Sequence, residues 1–102
     1  MKEAQSRDDF DELINGKNAF VLFKASWCKV CQSIFPVFED LEKHYGATLF
    51  MVVDVDENEA AAVSQGVDAM PTFVAYRNGN KVDELMSGDE ARLKEFLAKH
   101  AG

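Results

Sequence analysis

Two cysteines, Cys28 and Cys31, are the only thiols in the chain, and they stand three positions apart. If a helix begins at Cys28, that spacing puts both sulfurs one turn apart on one face, where they can close a small disulfide ring or open to a dithiol. The start of a helix offers unpaired N–H groups and the positive end of the helix dipole, and both favour thiolate over thiol at Cys28. Lys29, and Lys24 earlier in the chain, add positive charge, and Trp27 can shield one side of the sulfur. Other chemistries fit the inventory less well. A structural zinc site takes four ligands, but His44 and His100 have no ligand-like spacing. A c-type haem site places His directly after the second cysteine, where Gln32 stands. Two inert buried cysteines remain open on the spacing alone, as does a metal or iron–sulfur carrier bridging two chains. Asp54 and Asp56 alternate along an apolar run and read as the polar end of a strand rather than as cation ligands.

The elements that must position the cysteines follow from periodicity. Ala19 to Ala25 is a mostly apolar run, too short for a helix and fit for a buried strand that ends just before the pair. After it Ile34, Phe38, Leu41 and Tyr45 recur at helical spacing until Gly46. Pro36 falls inside that segment, which predicts a kinked helix, the alternative being two shorter ones. Ser6 with Asp9 resembles a capping box, opening a helix through Phe10, Leu13 and Ile14 to Gly16. Thr48 to Val55 reads as a second buried strand, and Asn58 caps a short helix to Gln65. Thr72–Tyr76 and Lys81–Met86 flank Asn78-Gly79 as a hairpin. Leu93, Phe96, Leu97 and His100 line one face of a last helix beginning near Asp89. Met1 to Gln5 adds a short edge strand. Strand–helix–strand units imply parallel pairing and the hairpin adds antiparallel strands. The expectation is an α/β domain with a mixed sheet and helices on both faces.

Composition bounds the function. The 102 residues suit one domain, and 47% hydrophobic residues support a real core. A net charge of −7 argues against nucleic acid and against anionic membranes as partners. A secreted domain stapled by disulfides would usually carry more cysteines. Met1 to Glu12 is charged and lacks the apolar stretch of a signal peptide, and no apolar run is long enough for a membrane helix. The expectation is a cytoplasmic protein in a reducing compartment, where a close cysteine pair is catalytic or metal-binding more often than structural.

The segment from Phe20 to Cys31, with Trp27 before Cys28-Lys29-Val30-Cys31, resembles the strand that leads into W-C-G-P-C in the thioredoxin family. Pro36 matches the family's kinking proline, and Val53 to Asp56 resembles the end of its central strand. Ala69-Met70-Pro71-Thr72-Phe73 matches the cis-proline segment, and Asn78-Gly79 and Gly88 fall at the hairpin turn and the late glycine. The resemblance implies a thioredoxin fold over residues 1–102, with four to five strands and about four helices. It implies a thiol–disulfide oxidoreductase acting on disulfide-containing proteins as a monomer, with no bound cofactor or metal. Electrons would come from a flavin- and NADPH-dependent thioredoxin reductase. Cys28 would be the attacking thiolate and Cys31 the resolving thiol. Trp27, Met70, Pro71 and Gly88 would form a shallow, mostly apolar docking surface.

Three departures retune that picture. The family's Gly-Pro between the cysteines is Lys29-Val30, which removes a restraint on the turn and predicts a more oxidising pair. The family's buried Asp, six residues before the first cysteine, is Leu22, and the Lys that often pairs with it is Val52. An apolar pair leaves no unpaired buried charge, but it cannot take the proton of Cys31. The departures also leave room for a thioredoxin-fold binding module, scaffold or holdase with little turnover.

Overall fold

The computed structural model describes residues 1–101. Strand β1 spans Lys2–Glu3 and helix α1 Arg7–Ile14, followed by β2, Ala19–Lys24, and α2, Lys29–Leu41. A 3-10 turn at Glu42–His44 leads to β3, Leu49–Asp54, and α3 covers Glu59–Ser64. The chain ends with the hairpin β4, Thr72–Arg77, and β5, Asn80–Leu85, and then α4, Glu90–His100. The sheet order is β1-β3-β2-β4-β5, with β2 parallel to β3, β1 parallel to β3, and the β2–β4 and β4–β5 pairs antiparallel. The mixed five-stranded sheet with four helices matches the expected thioredoxin fold.

Strand alternation sorts the core into two layers. Val21, Phe23, Met51, Val53, Val74 and Tyr76 face α1 and α3 through Phe10, Ile14, Ala61 and Ala62. Phe20, Leu22, Phe50, Val52, Phe73 and Ala75 face α2 and α4 through Ile34, Phe38, Leu93, Phe96 and Leu97. β2 is buried over five of its six residues because both layers cover it. The second layer is aromatic: the Phe38 ring lies 4.8 Å from Phe50 and 5.2 Å from Phe73. That packing fixes α2 on the sheet, and with it the segment that carries the cysteines.

The caps form, with one change. Ser6 Oγ accepts from Asp9 N–H at 3.0 Å, but the Asp9 carboxylate accepts from Gln5 N–H, one residue before the cap, so the box is not reciprocal at Ser6. Asn58 and Asp89 cap α3 and α4 as expected. Asn78 and Gly79 both have positive φ, 55° and 79°, as a tight hairpin turn requires. Most element ends differ from the sequence reading by a residue or two, and two of the differences change the picture. α2 runs through Pro36 as one helix, but it tightens into the 3-10 turn after Leu41, so the segment up to Tyr45 is not one α-helix. β5 ends at Leu85, leaving Met86 outside the sheet and 60% exposed.

Candidate active site

The cysteines lie where β2 ends and α2 begins. Cys28 is not the first residue of the helix but its N-cap, with extended backbone angles. Its Sγ accepts the Cys31 N–H at 3.1 Å, and its carbonyl accepts from Gln32 N–H. The sulfur therefore sits where a capping oxygen would, against one of the N–H groups that no helical carbonyl can reach. A thiolate there gains that hydrogen bond and the helix dipole together. Cys28 and Cys31 are joined as a disulfide, with Cα atoms 5.2 Å apart. The two sulfurs differ in access: Cys28 is 8% exposed and Cys31 only 1%. Ala25, Cys28 and Cys31 form a small apolar cluster against Val55 and Met70.

The approach loop is braced at each end. Cys28 N–H donates to the Ala25 carbonyl, and the Gln32 side-chain amide donates to the Ser26 carbonyl at 2.9 Å. Trp27 is 65% exposed, yet its indole N–H donates to Asp56 Oδ2 at 2.9 Å, which ties the ring to the turn after β3. Asp56 is itself placed by Asp54, whose Oδ1 accepts from the Asp56 and Glu57 N–H groups. These two aspartates are positioning residues that sequence reasoning took for a plain polar strand end. Their alternation at the end of a buried strand was the only sequence signal, and it did not show that Asp56 reaches Trp27. Lys24, at the end of β2, forms an ion pair with Asp54 Oδ2 at 3.5 Å.

The remaining site residues converge from the sheet. The Met70–Pro71 peptide is cis, Met70 is half-buried and Pro71 is buried. Thr72 Oγ1 donates to the Ala69 carbonyl at 2.6 Å and closes this loop on itself. Gly88 comes next to them: a Cβ there would run into Val30 Cγ1 and stand 3.9 Å from Pro71 Cγ. Trp27, Val30, Met70, Pro71 and Gly88 thus share one end of the molecule, with Lys29 exposed beside them. Exposed Val30 adds apolar surface not foreseen as part of it. Leu22 and Val52 are neighbours across the β2–β3 pair, buried beneath α2 and away from this surface. Among the described residues no group of three or more His, Cys, Asp or Glu could hold a metal. Among the described residues no helix is long and apolar enough to cross a membrane. A larger cleft of about 690 Å³, lined by residues such as Lys17, Thr48 and Asn78, contains no cysteine.

This geometry can exchange disulfides: a dipole-favoured cysteine that keeps slight exposure is joined to a more deeply buried partner beside an apolar ledge. Comparison with known proteins agrees. The thioredoxin family model matches residues 2–99. Thioredoxin 1 of Plasmodium falciparum is 34% identical over 102 residues, covering 99% of this chain and 98% of that protein. An H-type thioredoxin of Chlamydomonas reinhardtii is 44% identical over 86 residues, 83% of this chain and 76% of the relative. Among solved structures, Fasciola hepatica thioredoxin superposes with a TM-score of 0.92 at 37% identity, covering 98% of this chain and 99% of its own. The chain belongs to the thioredoxin family and is a thiol–disulfide oxidoreductase with a W-C-x-x-C site.

Proposed function

We propose that Cys28 is the nucleophile and Cys31 the resolving thiol of a protein-disulfide reductase. The observation that carries this is the asymmetry of the pair: Cys28 is the more exposed of the two, 8% against 1%, and its sulfur receives the Cys31 N–H. In the reduced protein the Cys28 thiolate attacks one sulfur of a substrate disulfide. A Cys28–substrate disulfide forms and the first substrate thiolate leaves. Cys31 then loses its proton and attacks Cys28 Sγ. The Cys28–Cys31 bond forms, the second substrate thiolate departs and takes up a proton, and two electrons have passed to the substrate. Trp27, Met70, Pro71 and Gly88 dock the substrate as an extended segment, with Met70 offering backbone groups for pairing.

Lys29, Val30, Leu22 and Val52 tune the redox chemistry rather than take part in it. Without a proline between the cysteines the dithiol is less favoured, and the pair sits above the roughly −270 mV typical of thioredoxins, toward the roughly −180 mV of protein disulfide isomerase. The chain works as one domain and as a monomer in the cytoplasm. It carries electrons from a flavin- and NADPH-dependent thioredoxin reductase to disulfide proteins and so serves cell redox homeostasis. Insulin reduction is the test. The wild-type protein precipitates the insulin B chain catalytically, Cys28→Ser is inactive, and Cys31→Ser accumulates a mixed disulfide through Cys28. Full turnover by Cys31→Ser, or none by the wild type, overturns the assignment and favours a binding module.

A further inference from the structure

The proton of Cys31 has no partner in the layer beneath it. Cys31 is 1% exposed, and Leu22 and Val52, the paired strand residues under α2, are apolar. Resolution nevertheless requires that proton to leave before Cys31 can attack. A groove of about 330 Å³ reaches Cys31 from the side, lined by Glu3, Lys24, Ser26, Gln32, Phe35 and Val52 among others. It is large enough for several water molecules and carries polar groups to hold them.

Register explains why Lys24 is there. Leu22 pairs with Val52, and two residues further Lys24 pairs with Asp54. A step of two along a strand keeps the same face, so Lys24 and Asp54 emerge on the α2 side of the sheet, just past the apolar pair. The Lys24 side chain is 28% exposed and its Nζ stands 3.5 Å from Asp54 Oδ2. The other oxygen of Asp54 is taken up by two backbone N–H groups. The charged groups around Cys31 are therefore Glu3 from β1, Lys24 from β2, Asp54 from β3 and Lys29 in the first turn of α2. Glu3 is exposed and screened by solvent, Asp54 is committed to its donors, and Lys29 is exposed on the outer surface.

We propose that Lys24, held by Asp54, is the positioning residue for the proton of Cys31. It lines the groove through which that proton passes to water, and its ammonium favours the Cys31 thiolate as it attacks Cys28. The proposal rests on Cys31 being the resolving thiol. In the step, Cys31 S–H ionises and the proton leaves along groove water. The thiolate forms the bond to Cys28 Sγ, and the substrate sulfur departs with the electron pair.

The test mixes reduced protein with excess 5,5′-dithiobis(2-nitrobenzoate) in a stopped-flow instrument between pH 6 and 9. The first coloured thiolate reports attack by Cys28 and the second reports resolution by Cys31. In Lys24→Met the second phase slows about three- to tenfold near pH 7 and its pH profile moves upward, while the first phase is unchanged. Lys24→Arg restores both rate and profile. Lys24→Gln repeats the effect with a polar side chain, should Met perturb folding. An unchanged second-phase profile in Lys24→Met and Lys24→Gln overturns the proposal. So does equal slowing in Lys24→Arg, which would mean packing rather than charge. A second intramolecular release from Cys31→Ser would instead overturn the assignment of Cys31.

Discussion

Cys28 gains its reactivity from a position that serine or aspartate would ordinarily hold, the N-cap of a helix with a free N–H aimed at the side chain. The same residue scale explains Trp27. It is the only tryptophan, and its indole is tied to Asp56, so its fluorescence reports the site directly. Asp56→Ala releases the ring: the anisotropy of the emission falls, and KM for insulin rises about two- to fivefold for the loss of one hydrogen bond. An unchanged anisotropy would show that the bond does not hold the ring. Leu22 is wholly buried between Val52 and Phe73 in the sheet. Leu22→Asp puts a carboxylate beneath Cys31 and speeds insulin reduction near neutral pH, while lowering stability by about 2–5 kcal/mol for an unpaired buried carboxylate. Turnover and denaturant midpoint read these two effects separately, and an unchanged rate would show that proton removal does not limit resolution.

At the scale of elements, α2 is the part that must not move, and its anchor is Phe38 between Phe50 and Phe73. Phe38→Ala costs about 3–5 kcal/mol by denaturant unfolding, against about 1 kcal/mol for Asp89→Ala at the cap of α4. Equal costs would mean that the aromatic layer does not carry the stability assigned to it. The end of α4 is tied to β5 by His100 Nε2 and Asp83 Oδ2 at 2.8 Å. That hydrogen bond is the largest influence and holds the Asp83 carboxyl below its usual 3.8 against the opposing effect of burial, with lesser help from the Glu84 N–H and the charges of His100 and Lys99. The sign follows from linkage: the folded state binds the proton less readily than the unfolded chain. Asp83 thus contributes stability above pH 3.8 that is lost as the pH falls through its depressed value. The pair is only partly buried and solvent screens it, so the effect is small. His100→Ala narrows its stability gap to the wild type as the pH is lowered from 5 to 3. A gap that stays constant over that range would remove Asp83 from the acid response.

For the whole molecule, a net charge of −7 surrounds a small apolar end, which disfavours nucleic acid and anionic membranes as partners. The element order and the cysteine pair were legible because strand runs, helical spacing and turn residues all agreed with one topology. The placement of Asp56 and Lys24 was not legible, because it depends on the β2–β3 register. Only that register puts Lys24 beside Asp54 and brings the turn after β3 level with Trp27. The cap role of Cys28 was missed by one residue, since a sulfur is not a usual capping group. The breakdown of α2 after Leu41 gave no sign in an apolar spacing that ran on to Tyr45. The chain pairs its dithiol with Lys29-Val30 between the cysteines, where the family resemblance leads one to expect Gly-Pro. The most direct measurement is the midpoint potential of Cys28–Cys31, by equilibration with glutathione buffers. A reversible two-electron transition above about −270 mV is the predicted result. A value at or below that, or no reversible transition, would contradict it.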